Sequence, residues 1–237
     1  MVNRHTALKI RKTHRYLGIF LGLQFLLWTI SGLYFSWTNI DKIHGDHFRD
    51  EKPKQYEFNN LISPNLLESN PKIKSISLRV INAKPFYFIN NNTLFNAKTG
   101  KIKQGILKEE ALSIAQDFIK KEMQVKDIKL IKKVNKHHEY REKLLPAYVI
   151  SYEGNDNLKA YVSQIDGRFQ TVRHKKWRWF DFLWMTHTMD YDGRDNINTL
   201  TLRIFSLLGL ITVLSGFLLW FTTSPTIRKI NKKIRNK

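Results

Sequence analysis

The stretch "HRYLGIFLGLQFLLWTISGLYFSW" (residues 14–37) decides how this chain reads. From Leu17 to Trp37 it carries no charge and is mostly apolar. About 20 residues of helix rise roughly 30 Å, the thickness of a bilayer's hydrocarbon core. In that core only a helix or a closed barrel satisfies its own backbone. A second run of the same character, "IFSLLGLITVLSGFLLWFTT", occupies 204–223. Two transmembrane helices are expected, at 17–37 and 201–223. The first run is longer than a signal-peptide core and no small-x-small site follows it, so it reads as an uncleaved anchor.

Charge sets the expected orientation. Residues 1–16 carry Arg4, Lys9, Arg11, Lys12 and Arg15 with no acid, and residues 224–237 carry six Lys and Arg with no acid. Basic tails of this kind stay in the cytoplasm, which places residues 38–200 on the periplasmic side of a bacterial inner membrane. That segment holds all 20 acidic residues of the chain. The net charge of +20 is concentrated beside lipid, where cationic residues attract anionic headgroups. The bilayer, rather than nucleic acid, is the expected partner of this charge. With no cysteine, disulfides and thiolate metal sites are excluded.

The six tryptophans stand at 28, 37, 177, 179, 184 and 220, within or beside the apolar segments. In "HKKWRWFDFLWMTHTMDYDGRDN" (174–196), Trp177, Phe180 and Trp184 fall on one helical face. Residues 174–200 are expected to form an amphipathic interfacial helix, ending near Asp192-Gly193, and a linker into the second span.

The segment 38–173 contains an internal repeat. "PFYFI" (85–89) matches "PAYVI" (146–150), and "LFNAKTGKIK" (94–103) matches "YVSQIDGRFQ" (161–170) in pattern. Each unit reads as strands joined by turns, with Gly100 and Gly167 supplying the turn conformation. "KEEALSIAQDFIKKE" (108–122) reads as a helix with an Ala111, Ile114, Ala115 and Phe118 stripe. Ser63-Pro64 reads as the N-cap and first residue of a shorter helix before the first unit. The fold class is α+β: two membrane helices flanking two helix-plus-antiparallel-sheet repeats.

The unit "EEALSIAQDFI … PAYVISYEGNDNLKAYVSQIDGRF" resembles a PepSY domain, and "HRYLGIFLGLQFLLWTISGLYFSW" with "TVLSGFLLWF" resembles the two ends of PepSY-associated transmembrane proteins. The shared features are His-Arg-aromatic-Leu-Gly at His14 to Gly18 and the pairs Ser31-Gly32 and Ser215-Gly216 near the outer helix ends. The resemblance implies an inner-membrane protein with a periplasmic PepSY module. Longer relatives include haem-bearing reductases of ferric siderophores, and PepSY modules elsewhere inhibit peptidases.

Two histidine groups are candidate sites. His14 lies at the inner mouth of the first span, either as an interfacial residue beside Arg15 or as a ligand of haem b. A helix rises roughly 35 Å from 14 to 37, so a bis-histidine haem at His14 requires another chain. Outside, "HGDH" brings His44 and His47 just past the first span and "HTMD" brings His187 and Asp190 before the second, a ligand set suited to a divalent metal if the stretches converge. No nucleophile elbow, HExxH or phosphate loop is present. Gly18 and Gly22 form GxxxG, Gly209 and Gly216 share a helix face, and Gly32 lies near the outer end; all five are expected to serve helix packing, within the chain, in a homodimer or with other membrane proteins. The expected function is a non-enzymatic accessory of envelope redox or iron-uptake machinery. Two alternatives stand beside it: a haem-bearing subunit of a ferric-siderophore-type reductase, and a membrane-tethered regulator or inhibitor of a periplasmic peptidase.

Overall fold

A computed structural model describes residues 4–51 and 54–226. The outermost parts of both basic tails, residues 1–3 and 227–237, lie outside the described residues. In chain order the elements are α1 (Arg4–Trp37), α2 (Ile40–His44), β1 (Ile76–Ile81), β2 (Lys84–Ile89), β3 (Thr93–Asn96), β4 (Ile102–Lys103), α3 (Lys108–Phe118), β5 (Val125–Ile131), β6 (Ala147–Tyr152), β7 (Lys159–Ser163), β8 (Phe169–Arg173), α4 (Lys175–Thr188) and α5 (Leu200–Thr223). They form two compact units, a helical one built from 1–37 with 181–237, and an α/β one, Thr38–Phe180.

In the helical unit, α1 and α5 are both long and apolar enough to cross a membrane. The basic stretch from Arg4 to Tyr16 continues α1; its Lys, Arg, Ala and Leu are strong helix formers. The two helices pack antiparallel. Phe20 stacks on Phe205 with ring centroids 5.7 Å apart, and Gly209 lies against the ring of Phe25, whose Cζ would sit 3.0 Å from an added Cβ. This register sets the start of α5 beside the middle of α1 rather than beside its end. The remaining length of α1 packs on the last two turns of α4, where Phe35 meets Trp184 edge-on at 5.8 Å. An added Cβ at Gly18, Gly22 or Gly32 meets nothing within 4 Å, so the GxxxG of α1 makes no close approach to α5. The outward side chains of α5, among them Leu207, Leu210, Leu214, Phe217 and Phe221, are exposed, as lipid-facing residues are.

The α/β unit holds two four-stranded antiparallel meanders, β1-β2-β3-β4 and β5-β6-β7-β8. The repeat read from the sequence is therefore a repeat of structure. Gly100 (φ +75°) and Gly167 (φ +66°) both take the left-handed conformation in matching turns. The inner face of the first sheet (Ile81, Phe86, Phe88, Leu94), that of the second (Ile150, Tyr152, Ala160, Val162, Val172) and the Ala111, Ile114 and Ala115 stripe of α3 close one core. The two repeats differ in their helices. Ser63 Oγ does accept the N–H of Asn65, but the helix it opens is a single 3₁₀ turn, Pro64–Leu66. α3 stops at Phe118, short of residue 122, because the chain beyond it is drawn into a bridge between Ile119 and Arg49, with Asp50 N–H donating to Phe118 O at 2.9 Å and Lys120 N–H to Phe48 O at 3.1 Å.

The second sheet carries an additional fastening on its outer face. Glu139, in the loop before β6, accepts from Tyr161 Oη (2.6 Å) and Arg178 Nε (2.6 Å) and pairs with Lys159 at 3.1 Å. Tyr140 stacks on Tyr161 at 4.5 Å. Burial alone would raise the Glu139 carboxyl pKa. The Arg178 and Tyr161 bonds and the charges of Arg178 and Lys159 outweigh it and hold the group at about 2.

Candidate functional site

Two imidazole–serine bonds tie the helical unit together. His14 Nδ1 lies 2.7 Å from Ser215 Oγ and 3.2 Å from Thr212 O. Ser215 spends its own proton on Thr212 O at 2.7 Å, and a carbonyl only accepts. Nδ1 is therefore the protonated nitrogen, and in the neutral ring Nε2 carries the lone pair. At the other end of α1, His187 Nδ1 lies 2.7 Å from Ser31 Oγ, whose proton goes to Leu27 O at 2.7 Å. No carbonyl faces Nδ1 of His187, so Ser31 Oγ serves it as acceptor or donor according to the tautomer. The Ser31 and His14 positions are 17 residues apart on α1, roughly 26 Å.

The surroundings of the two rings differ. His14 lines an open groove of about 540 Å³ with Thr212, Val213, Gly216, Phe217 and Trp220. A Cβ at Gly216 would come 3.2 Å from His14 Cε1, so the glycine makes room for the ring. Antiparallel packing sets Ser215-Gly216 beside His14, at the opposite end of the pair from Ser31-Gly32; the expectation that both pairs lie near the outer end is corrected. His187 is enclosed by Phe35 and Trp28, at centroid distances of 5.5 and 6.5 Å. Around it, α1 satisfies the last carbonyls of α4, which have no partner inside their own helix. Trp28 Nε1 donates to His187 O at 2.7 Å and Gln24 Nε2 to Thr186 O at 3.3 Å. The end of α4 is thus bonded to α1, and the helix stops at Thr188, before Asp192-Gly193.

Asp190 organises the loop that follows. Its Oδ1 accepts from Gly193 N (3.1 Å) and Asp192 N (3.3 Å), and its Oδ2 from Asn196 N (2.8 Å). Burial would raise this carboxyl pKa, and the amides of Asn196 and Gly193 lead those that outweigh it, so the group titrates below its ordinary value. Arg194 pairs with Asp181 nearby.

His44 and His47 belong to the α/β unit and His187 and Asp190 to the helical one. His44 ends α2 and is exposed. His47 packs on Phe48 (centroids 4.0 Å) and meets His174 edge-on at 5.4 Å. Burial, then the charge of Lys176, lowers the His47 pKa. His174, fully buried, donates from Nε2 to Ile43 O at 3.0 Å. Among the described residues, no three His, Asp or Glu side chains are grouped to hold a metal. Reading the sequence missed the hydroxyl partners Ser215 and Ser31 and the carbonyl caps Gln24 and Trp28. The one signal available was that polar residues inside an apolar helix need a partner.

A haem in the groove beside His14 would find one imidazole nitrogen and an apolar lining there, and among the groove's lining residues no second ligand. Comparison with curated proteins and with solved structures returns no match. The profile of the family described as PepSY-associated TM region matches residues 11–236, a span containing His14, both Ser-Gly pairs, the two sheets and both membrane helices, and the chain belongs to that family.

Proposed function

We propose that this membrane PepSY protein is an accessory subunit of envelope redox or iron-uptake machinery, and that His14 would supply one ligand to a haem shared with another chain. The observation that carries the reading is the bond from His14 Nδ1 to Ser215, which fixes the tautomer and orientation of the ring and leaves the Nε2 lone pair for a ligand. Thr212 O and Ser215 Oγ hold the proton on Nδ1; Val213, Phe217 and Trp220 give the groove an apolar lining; Gly216 lets the ring of His14 lie close against α5. A haem held there would supply one-electron transfer. The chain's own residues supply ligation and orientation, which accords with a non-enzymatic role. His187, already enclosed by Trp28 and Phe35, serves the packing of α4 on α1.

The test is a haemin titration of the detergent-purified full chain. A low-spin spectrum at one haem per two chains, lost in His14→Gln and kept in His187→Gln, is the expected result. Equal binding by the parent and His14→Gln would overturn the ligand assignment.

A further inference from the structure

The two sheets have four edge strands, and they are not equally protected. β4 is two residues long, and Glu68 Oε2 closes its edge by accepting Ile102 N–H at 2.7 Å. β5 carries Lys126, Asp127 and Lys129 and a bulge between Val125 and Asp127, features that discourage further pairing. On β8, the Arg173 guanidinium bonds Val172 O at 3.0 Å and Thr171 Oγ1 at 2.6 Å. Among the described residues, β1 has no bulge, lysine or capping carboxylate; its one guard is the Arg79 guanidinium, which bonds Leu78 O at 3.2 Å. The strand runs six residues, Ile76–Ile81, in unbroken register with β2, without lysine, proline or bulge.

The register shows which groups β1 presents. Asn90 N–H donates to Ser75 O at 2.9 Å, so Ser75 faces Asn90 as a bonded pair, and alternation makes Ser77, Arg79 and Ile81 the residues bonded to β2. The N–H and C=O of Ile76, Leu78 and Val80 point to the free edge. Among the described residues, the one hydrogen bond to those outward groups is from Arg79 Nη1 to Leu78 O, 3.2 Å. The side chains of Ile76 and Leu78 are each 45% exposed. The exposed charge flanking the strand is predominantly positive. Residues 54–107 contain eight Lys and Arg against Glu57 and Glu68, and Glu68 is already engaged on β4. Lys72, Lys74 and Lys84, all exposed, bracket the strand, while Arg79 in its middle is paired with the buried Asp166 carboxylate at 3.4 Å.

We propose that β1 is a docking edge for an extended segment of a protein partner whose side chains alternate apolar and acidic. Its backbone pairs with Ile76, Leu78 and Val80, its apolar side chains cover Ile76 and Leu78, and its carboxylates meet the exposed Lys72, Lys74 and Lys84. Strand addition of this kind draws affinity from the main chain and specificity from alternate side chains. Charge argues against a second copy as the occupant, because antiparallel pairing of β1 with itself would set Lys72 and Lys74 against Lys84 of the other copy.

The experiment follows amide hydrogen exchange in the full chain in detergent micelles, with a capped six-residue peptide alternating valine and glutamate as the probe. The expected result is exchange slowed at least tenfold at Ile76, Leu78 and Val80, little change at Ser77, Arg79 and Ile81, and protection weakened by salt. A peptide alternating valine and lysine gives no protection. Leu78→Pro removes an outward N–H without touching a bond to β2 and abolishes the effect; should that variant fail to fold, the valine–glutamate peptide N-methylated on its pairing edge serves instead. No protection, or equal protection by both peptides, overturns the proposal. So does protection that rises with protein concentration without peptide, which would make the occupant a second copy.

Discussion

The helical unit and the α/β unit are held together by different physics. In the domain, two sheets and α3 close over a continuous apolar core, and burial of apolar area from water stabilises it. Between α1 and α5 that drive is absent, because lipid is as apolar as leucine. There the interface consists of a few close approaches, at Gly209 and Gly216, and of polar bonds, His14 to Ser215 and His187 to Ser31. Crowding should therefore be punished in the domain and tolerated on the open face of α1, while loss of a hydroxyl should matter in the helices.

Glycine substitution exposes this contrast most strongly. At Gly167 the backbone is left-handed, and an added Cβ would lie 3.0 Å from Ile81 Cγ1 and 3.2 Å from Ile114 Cδ1. Gly167→Val should lower domain stability by about 3 kcal/mol, through strain and overpacking together. Gly18→Val, in open space on α1, should leave the unfolding curve of the full chain unchanged. Equal effects at the two sites would erase the distinction.

Acid comes next. The Glu139 carboxyl sits below its unfolded value, so the stability it contributes is present above about pH 4.5 and is lost as the pH falls towards about 2. The loss amounts to about 2 kcal/mol for this largely buried group. It should be seen in the domain's unfolding between those pH values and be absent in Glu139→Gln. A parent and variant that lose stability in parallel would show that the latch contributes nothing.

The serines give the smallest shifts. Ser31→Ala removes the hydrogen-bond partner of an enclosed imidazole and should weaken the packing of α4 on α1 by about 1 kcal/mol. Ser215→Ala should cost about 0.6 kcal/mol, since His14 keeps Thr212 O and borders an open groove. Unfolding of the helical unit in mixed micelles would rank them; the reverse order would contradict the view that His187 is the structural histidine and His14 the available one.

Much of the fold was legible because its signals are local. An uncharged run from Leu17 to Trp37 is long enough to span, and matched Pro and Gly positions announce two like sheets. What was not legible depends on register between distant segments. Nothing local in Ser215 says that it faces His14, because the antiparallel offset of α1 and α5 decides it. A break between α4 and α5 was expected near Asp192-Gly193; that it falls at Thr188 was not legible, because the carbonyls freed at Thr186 and His187 are satisfied by Gln24 and Trp28, some 160 residues earlier. The left-handed glycines could be anticipated, since Asp-Gly and Thr-Gly at strand ends carry their own turn chemistry. His44 and His47 look like a ligand pair in sequence, yet one ends α2 in the open and the other packs on Phe48.

The account rests on a locked imidazole at His14, and nitrogen NMR of the full chain reconstituted in lipid bilayers, with ¹⁵N-labelled histidine, tests it most directly. The predicted result is a His14 ring protonated at Nδ1 and unprotonated at Nε2, its Nδ1 signal shifting in Ser215→Ala and unmoved in Ser31→Ala. A His14 ring protonated at Nε2, or one indifferent to the loss of Ser215, would contradict it.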